Sequence, residues 1–201
     1  MGYFVISVVF MILGSIVQGR LRSKFATYSQ VGLRNGKSGQ EIAQDMLRYY
    51  GIHDVEVLSV QGQLTDHYNP QNKTVNLSSE VFHGRSIASA AVAAHECGHA
   101  VQHATAYSML QMRSAIVPIV NVAASLQQYL LMFAIGAFGA GQNSTLLFIT
   151  IIVFGITTAF SLITLPVEFD ASNRALKWLE ATSSTVGPEH DGAKDALNGL
   201  H

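Results

Sequence analysis

The sequence contains one cysteine, Cys97, which excludes a disulfide framework and any multi-cysteine zinc or iron–sulfur site. Charge is also scarce. Asp, Glu, Lys and Arg make up 12% of the 201 residues, against about 25% in an ordinary soluble chain. With 12 basic and 13 acidic residues the net charge is −1, so no basic footprint for nucleic acid or another polyanion exists. Hydrophobic residues account for 49%, which excludes a disordered chain and argues against a wholly soluble one. Internal repeats and low-complexity tracts are lacking as well. These absences point to a small membrane protein with one compact polar domain.

The missing charge is concentrated in three uncharged, largely apolar runs: residues 2–19, 115–140 and 144–165, the last ended by Pro166. A helix needs roughly 20 apolar residues to cross a bilayer, so three membrane helices are predicted. The first run has no Lys or Arg before its apolar core. Arg20, Arg22 and Lys24 follow it instead, the order of a retained anchor and not of a cleaved signal peptide. The second and third runs are separated only by residues 141–143, a tight hairpin. On that layout every charged residue lies on one face, which the positive-inside rule makes cytoplasmic. The Asn-x-Ser/Thr triplets at Asn72, Asn76 and Asn143 then read as chance, because glycosylation needs an accessible lumenal loop.

Residues 20–114 carry the polar domain. Ser38 and Glu41 have the spacing of a capping box. Ile42, Met46, Leu47 and Tyr50 follow at helical spacing, with Gly51 as a suitable stop. Val55, Val57 and Val60 predict a short strand, and Gln61-Gly62-Gln63 a turn. Two further extended pieces, residues 64–68 and 73–77, flank the turn cluster Asn69-Pro70-Gln71-Asn72. The expected fold is mainly α with a small β meander, followed by a long helix over residues 86–103. Beyond the hairpin, residues 166–201 are expected to form a helix and a hydrophilic tail.

The chemistry is concentrated in His95-Glu96-Cys97-Gly98-His99. Two histidines four apart project from one helix face, so both imidazoles can reach one zinc ion. Glu96 can then point toward a water at the metal, as general base and later as proton donor to the leaving amine. The bland alternative is a core helix with satisfied histidines. It would leave His95, Glu96, His99 and His103 to be satisfied in a packed interior, which is costly.

A third ligand is needed. His103 continues the ladder, but it stands roughly 12 Å from His95 on a straight helix, too far for one tetrahedral ion. Cys97 lies on the opposite side and suits a small core position. Glu168, beyond the third apolar run, is the attractive candidate: it shares a stripe with Ala171, Ser172, Ala175 and Leu179 and needs a partner there. The hairpin returns it to the side of His95 and His99. The competing reading of Glu168 is a helix-start glutamate favoured by the dipole.

The chain resembles the membrane-anchored YugP-like zinc metallopeptidases. The resemblance runs through Leu64-Thr65-Asp66-His67-Tyr68-Asn69-Pro70, Gly84-Arg85-Ser86-Ile87-Ala88, Ala93-Ala94-His95-Glu96-Cys97-Gly98-His99-Ala100 and Leu165-Pro166-Val167-Glu168-Phe169-Asp170-Ala171-Ser172. It implies a zincin-like catalytic domain with one zinc, His95, His99 and Glu168 as ligands and Glu96 as catalytic acid–base. This is the arrangement of the gluzincins, which include membrane proteases of the CAAX and heat-shock types. Those relatives usually place Asp four residues after the ligand Glu to orient a histidine. Here that position is Ser172, with Asp170 as the substitute to consider. The resemblance also implies a further membrane helix beyond His201, and an edge strand over residues 73–78 that could take an extended peptide. His67, Tyr68, Arg85 and Arg174 stand as unranked candidates for stabilising an oxyanion.

The function expected is a multi-pass membrane endopeptidase acting on peptide or protein substrates at the cytoplasmic face. Intramembrane cleavage in the site-2 manner fits less well, because residues 86–103 are polar and the only Asp-Gly, Asp191-Gly192, lies in the hydrophilic tail. An adapter with a structural zinc is the rival from another class, and such a site has no use for an adjacent base.

Overall fold

The capping box predicted at Ser38 opens the first helix of the polar part. The Glu41 backbone N–H donates to Ser38 Oγ at 3.3 Å, and the Ser38 N–H donates to the Glu41 carboxylate at 2.7 Å. A computed structural model describes residues 2–136 and 144–199. The described residues are mainly helical, with a small mixed three-stranded sheet. In chain order the elements are α1 (Gly2–Ser29), α2 (Gly39–Tyr49), β1 (Glu56–Val60), β2 (His67–Asn69), β3 (Thr74–Ser78) and α3 (Ser79–His83). They continue with α4 (Ile87–Ala104), α5 (Ser108–Gly136), α6 (Ser144–Ala181) and α7 (Pro188–Leu197). The chain divides into two compact units, residues 1–105 with 169–201, and residues 106–168.

The first unit is built around α4. Its N-cap is Ser86, whose Oγ accepts the Ser89 N–H at 3.2 Å. Every residue from Ile87 to Gln102 is buried. Ala88, Ala90, Ala91, Ala93, Ala94 and Ala100 explain how: small side chains let α1, α2, α3 and α7 approach from several sides. The large side chains that fill the core come from α2, α3, α6, α7 and β3, among them Ile42, Met46, Leu77, Val81, Leu179 and Leu197. Each contributes roughly 1.5–3 kcal/mol of burial.

The sheet differs from the predicted meander. Its order is β1-β3-β2, with β1 parallel and β2 antiparallel to β3. Parallel neighbours cannot be joined by a tight turn, so the chain leaves β1, forms β2 on the far side and returns through the middle as β3. Alternating valines reveal a strand but not its neighbour, which is why the pairing was illegible. The expected edge strand over residues 73–78 is likewise corrected: β3 is the central strand and all five of its residues are buried. The edge that meets α4 is β2.

The last residues are not a tail. Gly187 at φ +56° turns the chain, Pro188 starts α7, and Gly192, Ala193, Ala196 and Leu197 are buried. A Cβ on Gly192 would stand 3.0 Å from Tyr28 Cε1. Lys24 Nζ donates to Asp195 at 2.8 Å and Tyr28 Oη to the same carboxylate at 3.0 Å. The Lys24 contact holds the Asp195 carboxyl below its usual range, and Asp195 pushes the Tyr28 hydroxyl up. Small residues carry the contact face of α7, so a search for large apolar periodicity passes over it.

In the second unit α5 and the first part of α6 are apolar. Ala123, Leu130, Val153 and Ile156 pack together, and Thr157 Oγ1 donates to Gln127 Oε1 at 3.3 Å. Ile119, Val122, Tyr129, Phe148, Ile151 and Leu162 are exposed. Among the described residues, two helical stretches are long and apolar enough to cross a membrane, Ser108–Gln127 and Phe148–Ala181. The first uncharged run is helical as part of α1 but is not among these two. Pro166 does not end the third run: α6 continues through it to Ala181, as α5 does through Pro118. A proline removes one backbone bond and crowds one carbonyl, a local penalty that a helix this long absorbs. The predicted turn at 141–143, including Asn143, lies outside the described residues, as do Leu200 and His201.

Candidate metal centre

His95 and His99 stand one turn apart on α4, with ring centroids 4.8 Å apart and planes at 83°. Both are buried. Glu168 sits on α6 immediately before Phe169, where that helix enters the first unit. One ligand atom each from His95, His99 and Glu168 lie within 4.8 Å of one another. The separation follows from Gly98. A Cβ there would stand 2.5 Å from the Ala171 carbonyl oxygen and 3.0 Å from its carbon, so only glycine lets the two backbones come this close.

Each imidazole is held by its Nδ1. For His95 the partner is Ser172 Oγ at 2.9 Å; for His99 it is Gln102 Oε1 at 3.0 Å. With Nδ1 engaged, Nε2 is the nitrogen each ring can offer a cation. Two imidazoles and one carboxylate are donors of the kind that zinc takes. The donor set therefore fits zinc.

Two of the residues weighed for ligation stand apart. Cys97 is fully buried, its Sγ directed at the Ala43 carbonyl at 3.5 Å, and burial pushes its thiol well above the ordinary value. His103 Nδ1 pairs with the Tyr68 hydroxyl at 2.8 Å. Burial also raises the Tyr68 hydroxyl.

Glu96 is buried beside the first histidine, and its Oε2 accepts the Tyr68 backbone N–H at 3.0 Å. Tyr68 is the middle residue of β2, opposite Val75 of β3. Its N–H therefore points out of the sheet edge, and the acidic side chain closes that edge. One carboxylate oxygen is thereby anchored by backbone geometry.

The oxyanion candidates all have partners. His67 engages Thr65 O through Nδ1 at 2.8 Å and Asn76 Nδ2 through Nε2 at 3.3 Å. Arg85 binds the Gly36 carbonyl and, at 3.1 Å, Glu41. Arg174 Nε donates to Asp170 Oδ2 at 2.6 Å. Asp170, considered above as the carboxylate that orients a histidine, meets Gln102 Nε2 at 2.8 Å. Gln102 was missed in the sequence. The available signal was an amide three residues after His99 on a helix otherwise lined with alanine, where a buried polar group needs partners.

The chain belongs to a metallopeptidase family: residues 3–200 match the family described as "Putative neutral zinc metallopeptidase". Over 181 residues the chain is 40% identical to the "Putative membrane protease YugP" of Bacillus subtilis (strain 168), a match covering 90% of this chain and 79% of that protein. No solved structure matches it.

Proposed function

We propose that this chain is a membrane-embedded zinc endopeptidase with one zinc ion held by His95, His99 and Glu168, and with Glu96 as its catalytic acid–base. The observation that carries the proposal is the convergence of the three ligand atoms beside a glutamate anchored on a strand edge. Zinc held there would supply Lewis acidity, to polarise the scissile carbonyl and make water nucleophilic near neutral pH. Glu96 takes one proton from the attacking water as the new C–O bond forms. It then delivers that proton to the amide nitrogen as the C–N bond breaks, so the carboxylate is regenerated. The Tyr68 N–H anchors one oxygen of Glu96, and Ser172 and Gln102 hold the two rings in place.

The two long apolar helices and the membrane relative support placement in a bilayer. The basic cluster Arg20, Arg22 and Lys24 favours a multi-pass arrangement with the centre on the cytoplasmic face.

The test is detergent-solubilised protein with an unfolded polypeptide as substrate. Glu96→Gln is expected to retain about one zinc per chain while losing hydrolysis by roughly a hundredfold or more. Glu168→Ala is expected to lose zinc as well as activity. Unchanged cleavage by Glu96→Gln overturns the mechanism, and zinc without cleavage in the parent supports a structural site instead.

A further inference from the structure

Gln102 is fully buried, although glutamine rarely is, and its amide lies between His99 and a charged pair. Its Nε2 stands 2.8 Å from Asp170 Oδ2, which also accepts from Arg174 Nε at 2.6 Å. The ion pair fixes the direction of the chain of bonds. A carboxylate only accepts, so the amide must present its NH₂ to Asp170 and its carbonyl oxygen to His99. The carbonyl oxygen only accepts in turn, so His99 Nδ1 must carry the proton, at 3.0 Å. The lone pair is then on Nε2.

We infer that Gln102, oriented by Asp170 and Arg174, is a positioning residue that sets the tautomer of His99 and so makes its Nε2 a metal donor. His95 is held instead by the Ser172 hydroxyl at 2.9 Å, a group that can donate or accept. The carboxylate that orients a ligand here thus acts on the second histidine and through an amide. It stands two residues after Glu168, where the gluzincin pattern has one four residues after. Arg174 offsets the charge of Asp170, so the amide delivers direction to His99 more than it delivers negative charge.

The inference rests on His99 being a ligand, and its tests separate the two. In the metal-free protein, long-range ¹H–¹⁵N spectra of the histidine rings should place the His99 proton on Nδ1; a proton on Nε2 overturns the inference whether or not zinc binds. The second test is zinc affinity by competition with a chelator. In Asp170→Asn the new NH₂ can face Gln102, turn its amide over and invert the selection at His99. Affinity is expected to fall about tenfold or more. In Gln102→Glu with Asp170→Asn, the new carboxylate accepts from both His99 Nδ1 and the Asn NH₂, while the Asn oxygen accepts from Arg174. That double variant is expected to recover affinity to within about threefold of the parent, a rescue that lost packing alone would not give. A single variant as tight as the parent, or a double variant no tighter than the single, overturns the inference. A parent that takes no zinc defeats the proposed function, and the ring proton alone then decides the role of Gln102.

Discussion

Helix α4 and helix α5 are both nearly free of charge, holding Glu96 and Arg113 respectively, yet they occupy opposite surroundings. The first is enclosed by protein along almost its whole length and shelters polar ligands. The second, together with the start of α6, turns Ile119, Val122, Phe148 and Ile151 outward. Side-chain size makes the difference. Alanines on α4 allow four helices to close around it, whereas in the second unit β-branched and aromatic side chains stand exposed. Low charge by itself does not distinguish a helix enclosed by protein from one with an exposed apolar face.

The strongest way to break this contrast is a charge on the outward face. Val122 is 69% exposed and lies within Ser108–Gln127. If that face meets lipid, Val122→Asp opposes insertion by about 3 kcal/mol and the chain should be depleted from carbonate-washed membranes. If the face meets water, the same substitution is expected to raise solubility and leave the yield unchanged. Fractionation of the variant against the parent separates the two.

A subtler contrast compares two glycines. In α4, Gly98 faces the Ala171 backbone; in α6, nothing stands within 4 Å of a Cβ built on Gly155. Gly98→Ala should force α4 and the last turns of α6 apart at a cost of about 1–3 kcal/mol, with weaker zinc retention because His95 moves from Ser172. Gly155→Ala should be neutral or stabilising by up to about 1 kcal/mol. Thermal midpoints and bound zinc measured on both variants check this, and equal loss in the two would mean that close approach at Gly98 is not what builds the centre.

Much of this was legible in the residues themselves. The capping box, the stop at Gly51 and the long helix through His95 and His99 follow from local rules, and those elements stand where the spacing predicts. Glu168 could be nominated because a carboxylate on a packed stripe needs a partner, and one of its oxygens lies within 4.8 Å of a nitrogen of each histidine. What was hidden depends on long-range placement. Whether β1 joins β2 or β3 is a matter of crossover, not periodicity, and α7 was read as tail because Gly192, Ala193 and Ala196 bury little area each. Gln102 and Ser172 gain meaning only when α4 and α6 are brought side by side.

Asp66 sharpens the comparison at its smallest scale, since it is a polar group drawn into the first unit at the end of the β1–β2 connection. It accepts the Ser78 N–H at 2.7 Å and the Ser78 hydroxyl at 3.1 Å, tying β3 and the start of α3 to that loop. Burial raises its carboxyl above the usual value despite those two bonds. A raised folded-state value favours the protonated form in the fold. The associated stability is therefore complete below the unfolded value, about 3.9, and is lost as pH rises through the folded one. Asn at this position keeps an acceptor for Ser78 without the buried charge. Asp66→Asn should match or exceed the parent at pH 7, and its advantage should shrink as pH falls toward 4. Asp66→Ala leaves the Ser78 N–H without its acceptor and should cost about 1–2 kcal/mol. Thermal midpoints of the three proteins between pH 7 and pH 4 check the sign, and an Asn advantage that grows on acidification would show that the Ser78 bonds, not burial, govern this carboxylate.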